Sequence, residues 1–171
     1  MLISLNEAFY NAFMNWNYFT YREGKNMFAD FLKKQSPNPG SIIIAALYGG
    51  LGEYSGVYAG EQGIITLVNG HTPQLMDMEQ FCRLHSTTFN SEIYMAYALF
   101  KRCPISFPEA AQRALHTLSN NSYKTMLMNS HQYCSGCITG NYDNEDVQLH
   151  ELKRTIKQSY PKRHYWHKLH Q

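Results

Sequence analysis

The segment Ser41-Ile-Ile-Ile-Ala-Ala-Leu-Tyr48 lies between Pro39-Gly40 and Gly49-Gly50. A short apolar run that is rich in Ile and bounded by Pro and Gly is typical of a buried β-strand. Two further strands are predicted downstream, over Tyr54–Ala59 and Ile64–Val68, and a Gly-bearing turn joins them. The three segments together predict a small, three-stranded, mostly antiparallel sheet.

Helical patterns flank the predicted sheet on both sides. Upstream, the capping box Ser4-Leu-Asn-Glu7 begins one helix and a second apolar stripe covers residues 26–34, so an N-terminal helical pair is expected. Downstream, the spacing of apolar residues predicts a helical C-terminal half, with helices over residues 75–84, 91–102, 106–118, 122–131 and 144–160. The expected fold class is therefore α+β.

The length of 171 residues suits one folded domain with a substantial core. Pro161 ends the last predicted helix, and the residues after it are rich in charge. We therefore expect residues 1–160 to form a single α+β domain and residues 161–171 to form a loose, basic, aromatic tail.

The start of the chain lacks the basic and apolar regions of a secretory signal, and its longest apolar run is too short to span a bilayer. The sequence thus predicts a cytoplasmic protein without a membrane partner. In the cytoplasm the four cysteines are expected to be free thiols or metal ligands, because that compartment keeps thiols reduced.

Charge is strongly segregated along the chain. The last nineteen residues, 153–171, carry six Lys or Arg and no Asp or Glu, whereas residues 1–152 carry nine basic and thirteen acidic residues. A basic end on a slightly acidic body is typical of proteins that meet a polyanion or an acidic surface. The predicted contact residues are Lys153, Arg154, Lys157, Lys162, Arg163, Tyr165, Trp166 and Lys168.

The tail interleaves its cations with aromatic rings, as in Lys162-Arg-His-Tyr-Trp-His-Lys168. Cations suit phosphates and flat rings suit unstacked bases, so the pattern favours nucleic-acid binding. An acidic protein surface is the other partner that this charge would suit. The function expected is that of a non-enzymatic binding or regulatory protein, and the sequence leaves its oligomeric state open.

Two pairs of residues have the internal spacing of metal ligands. Cys82 precedes His85 by three positions, and Cys134 precedes Cys137 by three positions. Four such sulfur and nitrogen donors suit tetrahedral zinc, so the cofactor is expected to be either zinc or none. The alternative is that the thiols and the histidine only pack in the core.

A competing hypothesis is a small hydrolase or transferase with a Cys/His site, with or without the help of zinc. The candidate catalytic residues are Cys134, His131 and His150, because a thiol nucleophile needs a nearby base. The chain contains no nucleophile elbow, phosphate-binding loop or dinucleotide fingerprint that would point to a particular reaction.

Overall fold

The structure is a computed structural model that describes residues 36–46, 52–69, 72–84, 91–120 and 128–169. Pro37–Gln171 form one compact unit. The predicted N-terminal helical pair falls on residues 1–35 and so lies outside the described residues. The proposed domain of residues 1–160 stays a prediction, because residues 1–35 lie outside the described ranges.

The described residues contain a single antiparallel sheet of seven strands, which are β1 (Ile42–Ala46), β2 (Glu53–Tyr58), β3 (Ile64–Val68), β4 (Thr72–Met76), β5 (Glu92–Ala98), β6 (Cys103–Pro104) and β7 (His164–Leu169). Hydrogen-bonded neighbours follow the order β4-β3-β2-β1-β5-β6, and β7 pairs with β5. Strand β7 pairs along one edge of β5. On the other edge, β1 pairs with the first half of β5 and β6 pairs with its end. The outermost strands are therefore β4 and β7.

Four α-helices accompany the sheet in the described part of the chain: α1 (Met78–Cys82), α2 (Pro108–Ser119), α3 (Ser130–Thr139) and α4 (Leu149–Ser159). Pro108 lies in the first turn of α2, where its missing N–H would have no helical acceptor anyway. The side chain of Asn129 caps α3 by accepting hydrogen bonds from the backbone N–H groups of His131 and Gln132. Gly140, with φ of 81°, ends the same helix in the left-handed conformation.

Each face of the sheet carries its own buried cluster. On the first face, which we call the helix face, side chains such as Ile44 and Val57 pack against α2, α3 and α4. On the second, which we call the opposite face, Ile43 and Met95 pack with Phe81 of α1. Because both of its faces are covered, β1 is apolar along its whole length, and this explains why the Ile-rich segment forms this strand.

The predicted fold class is wrong in its sheet and in part of its C-terminal half. The three predicted strands correspond to β1, β2 and β3, but the sheet has seven strands. The helix predicted over residues 91–102 is strand β5, whose residues are mostly buried. A strand buried on both faces has no polar alternation, so the spacing of Ile93, Ala96 and Tyr97 resembled a helical stripe.

The expectation of a loose C-terminal tail is also wrong for residues 164–169. They form β7, which pairs with β5 from Ile93↔Leu169 to Ala98↔His164. Two smaller corrections concern the helices. Residues 75 and 76, which the predicted helix over residues 75–84 includes, belong to β4, and residues 132–139, for which no helix was predicted, belong to α3. The helices predicted over residues 106–118 and 144–160 are present as α2 and α4, although α4 begins at Leu149.

Candidate functional site

The basic C-terminal segment is held in place as an outer strand of the sheet. The register sets Trp166 opposite Ala96 and Tyr165 opposite Tyr97. Because side chains alternate along a strand, Trp166 and Lys168 lie on the helix face and Tyr165 lies on the opposite face. The cations and rings of the tail therefore have fixed directions, which a loose segment would not give them.

Three of the eight predicted contact residues are engaged within the protein. The ammonium of Lys153 lies 4.9 Å from the centre of the Trp166 ring, a cation–π contact between α4 and β7. Lys168 forms a salt bridge with Glu92 of β5. Hydrogen bonds from Lys168 and Tyr94 hold the pKa of Glu92 below its ordinary value. These contacts fasten β7 to its neighbours and occupy two of the six cations.

The other five predicted contact residues are exposed. Arg154 and Lys157 lie on the outer side of α4, and Lys162 and Arg163 lie just before β7. Tyr165 is 37% exposed, and its ring centre lies 5.8 Å from that of Tyr97. Among the described residues none of these four cations forms an ion pair, so their charge faces solvent.

The turn between β5 and β6 lies beside the beginning of β7. The backbone N–H of Leu99 donates to the carbonyl oxygen of Arg163 over 3.0 Å. Phe100 at the tip of this turn is 82% exposed, and its neighbours Lys101 and Arg102 are exposed as well. We call the following group the turn surface: Phe100, Lys101, Arg102, Lys162, Arg163 and Tyr165.

Half of the turn surface was missed by sequence reasoning. Phe100, Lys101 and Arg102 were assigned to a helix, and the two segments are about sixty residues apart in the sequence. The only local signal was a pair of cations directly after an aromatic residue and shortly before Pro104. Such a pattern in a turn predicts an exposed basic tip, but only the pairing of β5 with β7 brings it to the tail.

The three predicted zinc ligands that the structure describes are not brought together. Cys82 belongs to the buried cluster on the opposite face, whereas Cys134 and Cys137 belong to the cluster on the helix face. The sheet lies between them, so Cys82 does not share a site with the other two. His85 lies outside the described residues. Within the described ranges no group of three or more His, Cys, Asp or Glu side chains is placed to hold a metal ion, and the choice between zinc and no cofactor stays a prediction.

The candidate nucleophile Cys134 lies in the core. Its side chain is fully buried, and this burial raises the pKa of the thiol far above its ordinary value. Burial likewise raises the pKa of Cys137 to about 11. A nucleophilic cysteine has to reach its substrate and populate its thiolate. Both observations count against Cys134 as a nucleophile, and the enzyme hypothesis stays a prediction.

The candidate base His131, at the start of α3, is hydrogen-bonded to Ser55 of β2, which is also bonded to Ser130. The Ser55 hydroxyl donates to the carbonyl oxygen of Ser130 over 2.9 Å, and the Ser55 N–H donates to the Ser130 hydroxyl over 3.1 Å. The same Ser55 hydroxyl lies 2.9 Å from Nδ1 of His131. Because its single proton is directed to the carbonyl, Nδ1 of a neutral His131 must be the donor. The lone pair of the ring then lies on Nε2.

Electrostatics favour the neutral ring of His131. His131 is only 6% exposed, and its burial lowers the pKa of the imidazole to about 4. A buried imidazole favours its neutral form because the charged form loses its hydration. At neutral pH the side chain is therefore uncharged and offers an acceptor at Nε2.

A cleft of about 460 Å³ opens next to this histidine. It lies where the beginning of β2 approaches the first turns of α3 and α4. Among the described residues its lining includes Glu53, His131, Val147, Leu149, His150 and Lys153. Two of the three candidate catalytic residues thus share one cleft, and Cys134 is not part of it.

Comparisons with known proteins give no family for this chain. No protein-family model, no curated protein and no solved structure matches it. Within the described residues no helix combines the length and the apolar character needed to cross a membrane.

Proposed function

We propose that this protein is a non-enzymatic regulatory protein that binds single-stranded nucleic acid through the turn surface. One observation carries the proposal: the hydrogen bond from Leu99 to Arg163 joins two separate basic and aromatic segments at one end of the sheet. Four exposed cations and two exposed rings therefore occur in one place, which is more than the tail alone provides.

The residue types of this surface match the two parts of a single strand. Lysine and arginine bind phosphate oxygens, and bases that are not paired stack on aromatic side chains. Phe100 supports this reading because an aromatic ring that is 82% exposed has lost most of the benefit of burial. A ring left in water beside cations is well placed to receive a base.

The proposal favours nucleic acid over an acidic protein because of these rings. The cations account for attraction to an acidic protein surface, whereas a single strand uses both the cations and the flat faces of the rings. Arg154 and Lys157 add two further exposed cations on α4, either of which suits a phosphate or a carboxylate. If the partner is an acidic protein, loss of the Phe100 ring should therefore matter little for binding.

Salt dependence tests the cationic part of the proposal. The variant Lys101→Ala/Arg163→Ala removes two cations, one from each segment of the turn surface. Binding of a labelled, mixed-sequence single strand is measured by fluorescence anisotropy at several salt concentrations. Each phosphate contact contributes about 0.7 to the slope of log affinity against log salt, so the slope is expected to become shallower by about 1.4.

Arg83→Ala is the matched control for this experiment. Arg83 is an exposed cation directly after α1 that does not belong to the turn surface, and among the described residues its ion-pair partner is Glu79 one helical turn away. Its loss is expected to leave both the affinity and the slope unchanged. Equal effects of the control and the double variant would contradict the proposed location, and an unchanged slope in the double variant would contradict the proposal itself.

The aromatic part is tested by Phe100→Ala, with Leu75→Ala as control. Both side chains are exposed apolar groups, Leu75 at 44% and Phe100 at 82%. Loss of stacking on one base costs about 1–3 kcal/mol, so Phe100→Ala is expected to lower affinity without changing the salt slope. If Phe100→Ala leaves single-strand binding intact while polyglutamate competes efficiently, the partner is an acidic protein.

We also propose a cytoplasmic location for this function. All four cysteines are free thiols, including Cys134 and Cys137, which lie three residues apart on α3. Free thiols are the usual state in a reducing compartment. Mass spectrometry of the alkylated protein from cells would detect the expected four reduced cysteines.

A further inference from the structure

The cleft beside His131 has hydrogen-bond donors on one side. The first turn of α4 places the backbone N–H groups of Leu149 and His150 there, and neither has an acceptor among the described residues. Free N–H groups at a helix N-terminus carry partial positive charge. Lys153, one turn further on, adds a full positive charge that the Trp166 ring holds in place. This side of the cleft suits an anionic group.

The other side of the cleft has acceptors. Nε2 of His131 has no hydrogen-bond partner among the described residues, although His131 is only 6% exposed. Since Nδ1 is directed to Ser55, Nε2 is the ring atom left for the cleft. The carboxylate of Glu53, at the start of β2, lines the same cleft and forms no ion pair among the described residues. This side suits a group that carries protons and positive charge.

An apolar wall lies between the two. Val147 is 51% exposed, and it lines the cleft together with Leu149. An exposed valine in a concave site gains free energy when an aliphatic group covers it. A volume of about 460 Å³ is ample for a small aliphatic molecule and falls in the usual range of ligand pockets.

We propose that this cleft binds a small zwitterion of the α-amino-acid type with an aliphatic side chain. Its carboxylate lies against the first turn of α4 and Lys153. Its ammonium lies against Glu53 and Nε2 of His131, and its side chain covers Val147. The site is separate from the turn surface, so the proposal does not depend on nucleic-acid binding.

Three related probes test this arrangement on the full chain. L-leucine carries both charged groups, isocaproate lacks the ammonium, and isoamylamine lacks the carboxylate. Binding is followed by NMR through the amide signals of Leu149 and His150. We expect L-leucine to saturate these shifts with a dissociation constant below about 10 mM. Each truncated probe is expected to bind at least about ten-fold more weakly, because it loses one set of charged hydrogen bonds.

Charge-neutralising variants assign the two ends of the ligand. Glu53→Gln is expected to weaken L-leucine and isoamylamine about ten-fold while leaving isocaproate unchanged. Lys153→Gln is expected to weaken L-leucine and isocaproate and to leave isoamylamine unchanged. The controls are Glu61→Gln and Arg83→Gln, which remove exposed charges outside the cleft lining. A merely structural effect of either cleft variant would lower the affinity for all three probes alike.

Two results would overturn the proposal. The first is the absence of saturable shifts with L-leucine in the wild-type protein. The second is equal affinity for all three probes, which would mean that the cleft does not bind both the carboxylate and the ammonium of the ligand. Neither result would bear on the salt dependence of nucleic-acid binding, so the two proposals fail separately.

Discussion

At the scale of single residues, His131 shows how burial sets the protonation state of a side chain. The same side chain in water would be partly charged near neutral pH, but its burial beside Ser55 favours the neutral ring. This places an acceptor in the cleft. It also makes the stability of the protein depend on pH.

The free energy of unfolding is expected to fall as the pH is lowered from 6.5 to 4. The pKa of His131 is depressed from 6.5 to about 4 in the folded protein, so the unfolded chain binds the proton more readily in this range. Stability from this group is complete above pH 6.5 and is lost progressively toward pH 4, by about 3 kcal/mol. Urea unfolding at both pH values measures the loss.

His131→Gln is the reference for that experiment, because glutamine does not titrate. The wild-type protein and the variant share all other titrating groups, so the difference between their pH dependences belongs to His131. The wild type is expected to lose about 3 kcal/mol more than the variant. Parallel losses in the two proteins would show that His131 does not contribute.

Gly40 illustrates a backbone constraint. Its φ is 87°, and an added Cβ would lie 2.1 Å from the carbonyl oxygen of Phe107. Gly60 has a similar φ of 77°, but the nearest atom to its added Cβ is the ring of Pro39 at 3.4 Å. Alanine at either position would have to adopt the left-handed conformation, which is unfavourable for a residue with a Cβ. At position 40 the Cβ would also clash with the backbone of Phe107.

Gly60→Ala is therefore expected to lower the free energy of unfolding by about 1 kcal/mol. Gly40→Ala is expected to cost about 3 kcal/mol or more, because the clash requires the backbone at Phe107 to move. Chemical denaturation of both variants measures the difference. Similar values for the two variants would mean that the chain relaxes around residue 40.

At the scale of elements, β7 combines structural and surface roles on one strand. Trp166 is half-buried on the helix face, where it packs on the cluster that includes Ala96 and contacts Lys153. Tyr165 points to the opposite face and is more exposed. Alternation along the strand thus separates the residue that anchors β7 from one that is available to a ligand.

Trp166→Ala is expected to destabilise the protein by about 2 kcal/mol, less than a fully buried tryptophan would, because the ring is only half-buried. Tyr165→Ala is expected to cost about 1 kcal/mol, since it loses the ring contacts of a more exposed side chain with Tyr97 and His167. Thermal and urea unfolding provide both values. A larger loss for Tyr165 than for Trp166 would contradict the assignment of the anchor.

At the scale of the whole molecule, the C-terminal segment closes the sheet on the outer side of β5. Ile93, Met95 and Tyr97 of β5 are nearly fully buried, and β7 pairs with each of them. Removing β7 would leave these positions without their outer neighbour. The basic end of the chain is therefore part of the fold as well as a source of charge.

Truncation after Pro161 is expected to lower the unfolding midpoint by about 10 °C, which corresponds to a loss of about 3 kcal/mol for a protein of this size. The cause is the loss of β-ladder hydrogen bonds and the exposure of apolar side chains on β5. Circular dichroism during heating measures the midpoint. An unchanged midpoint would mean that the segment behaves as a detachable tail.

Sequence reasoning succeeded where the local pattern and the environment agree. The Ile-rich run of β1 and the capped helix α2 are recognisable because their signals are local. It failed at β5, where coverage of both faces removes the alternation that marks a strand. It also failed at β7, where a row of cations resembled a solvated tail.

The amino-acid sequence by itself determined the α+β character of the described chain, the three strands β1–β3 and the concentration of positive charge at the C-terminal end. Only the tertiary structure decided that this end is an outer strand, that the turn at Phe100 lies beside Arg163, and that Cys82 is separated from Cys134 by the sheet. Composition and spacing are local properties of the chain. Strand pairing joins segments that are far apart in sequence, and its free energy depends on packing that no single segment contains.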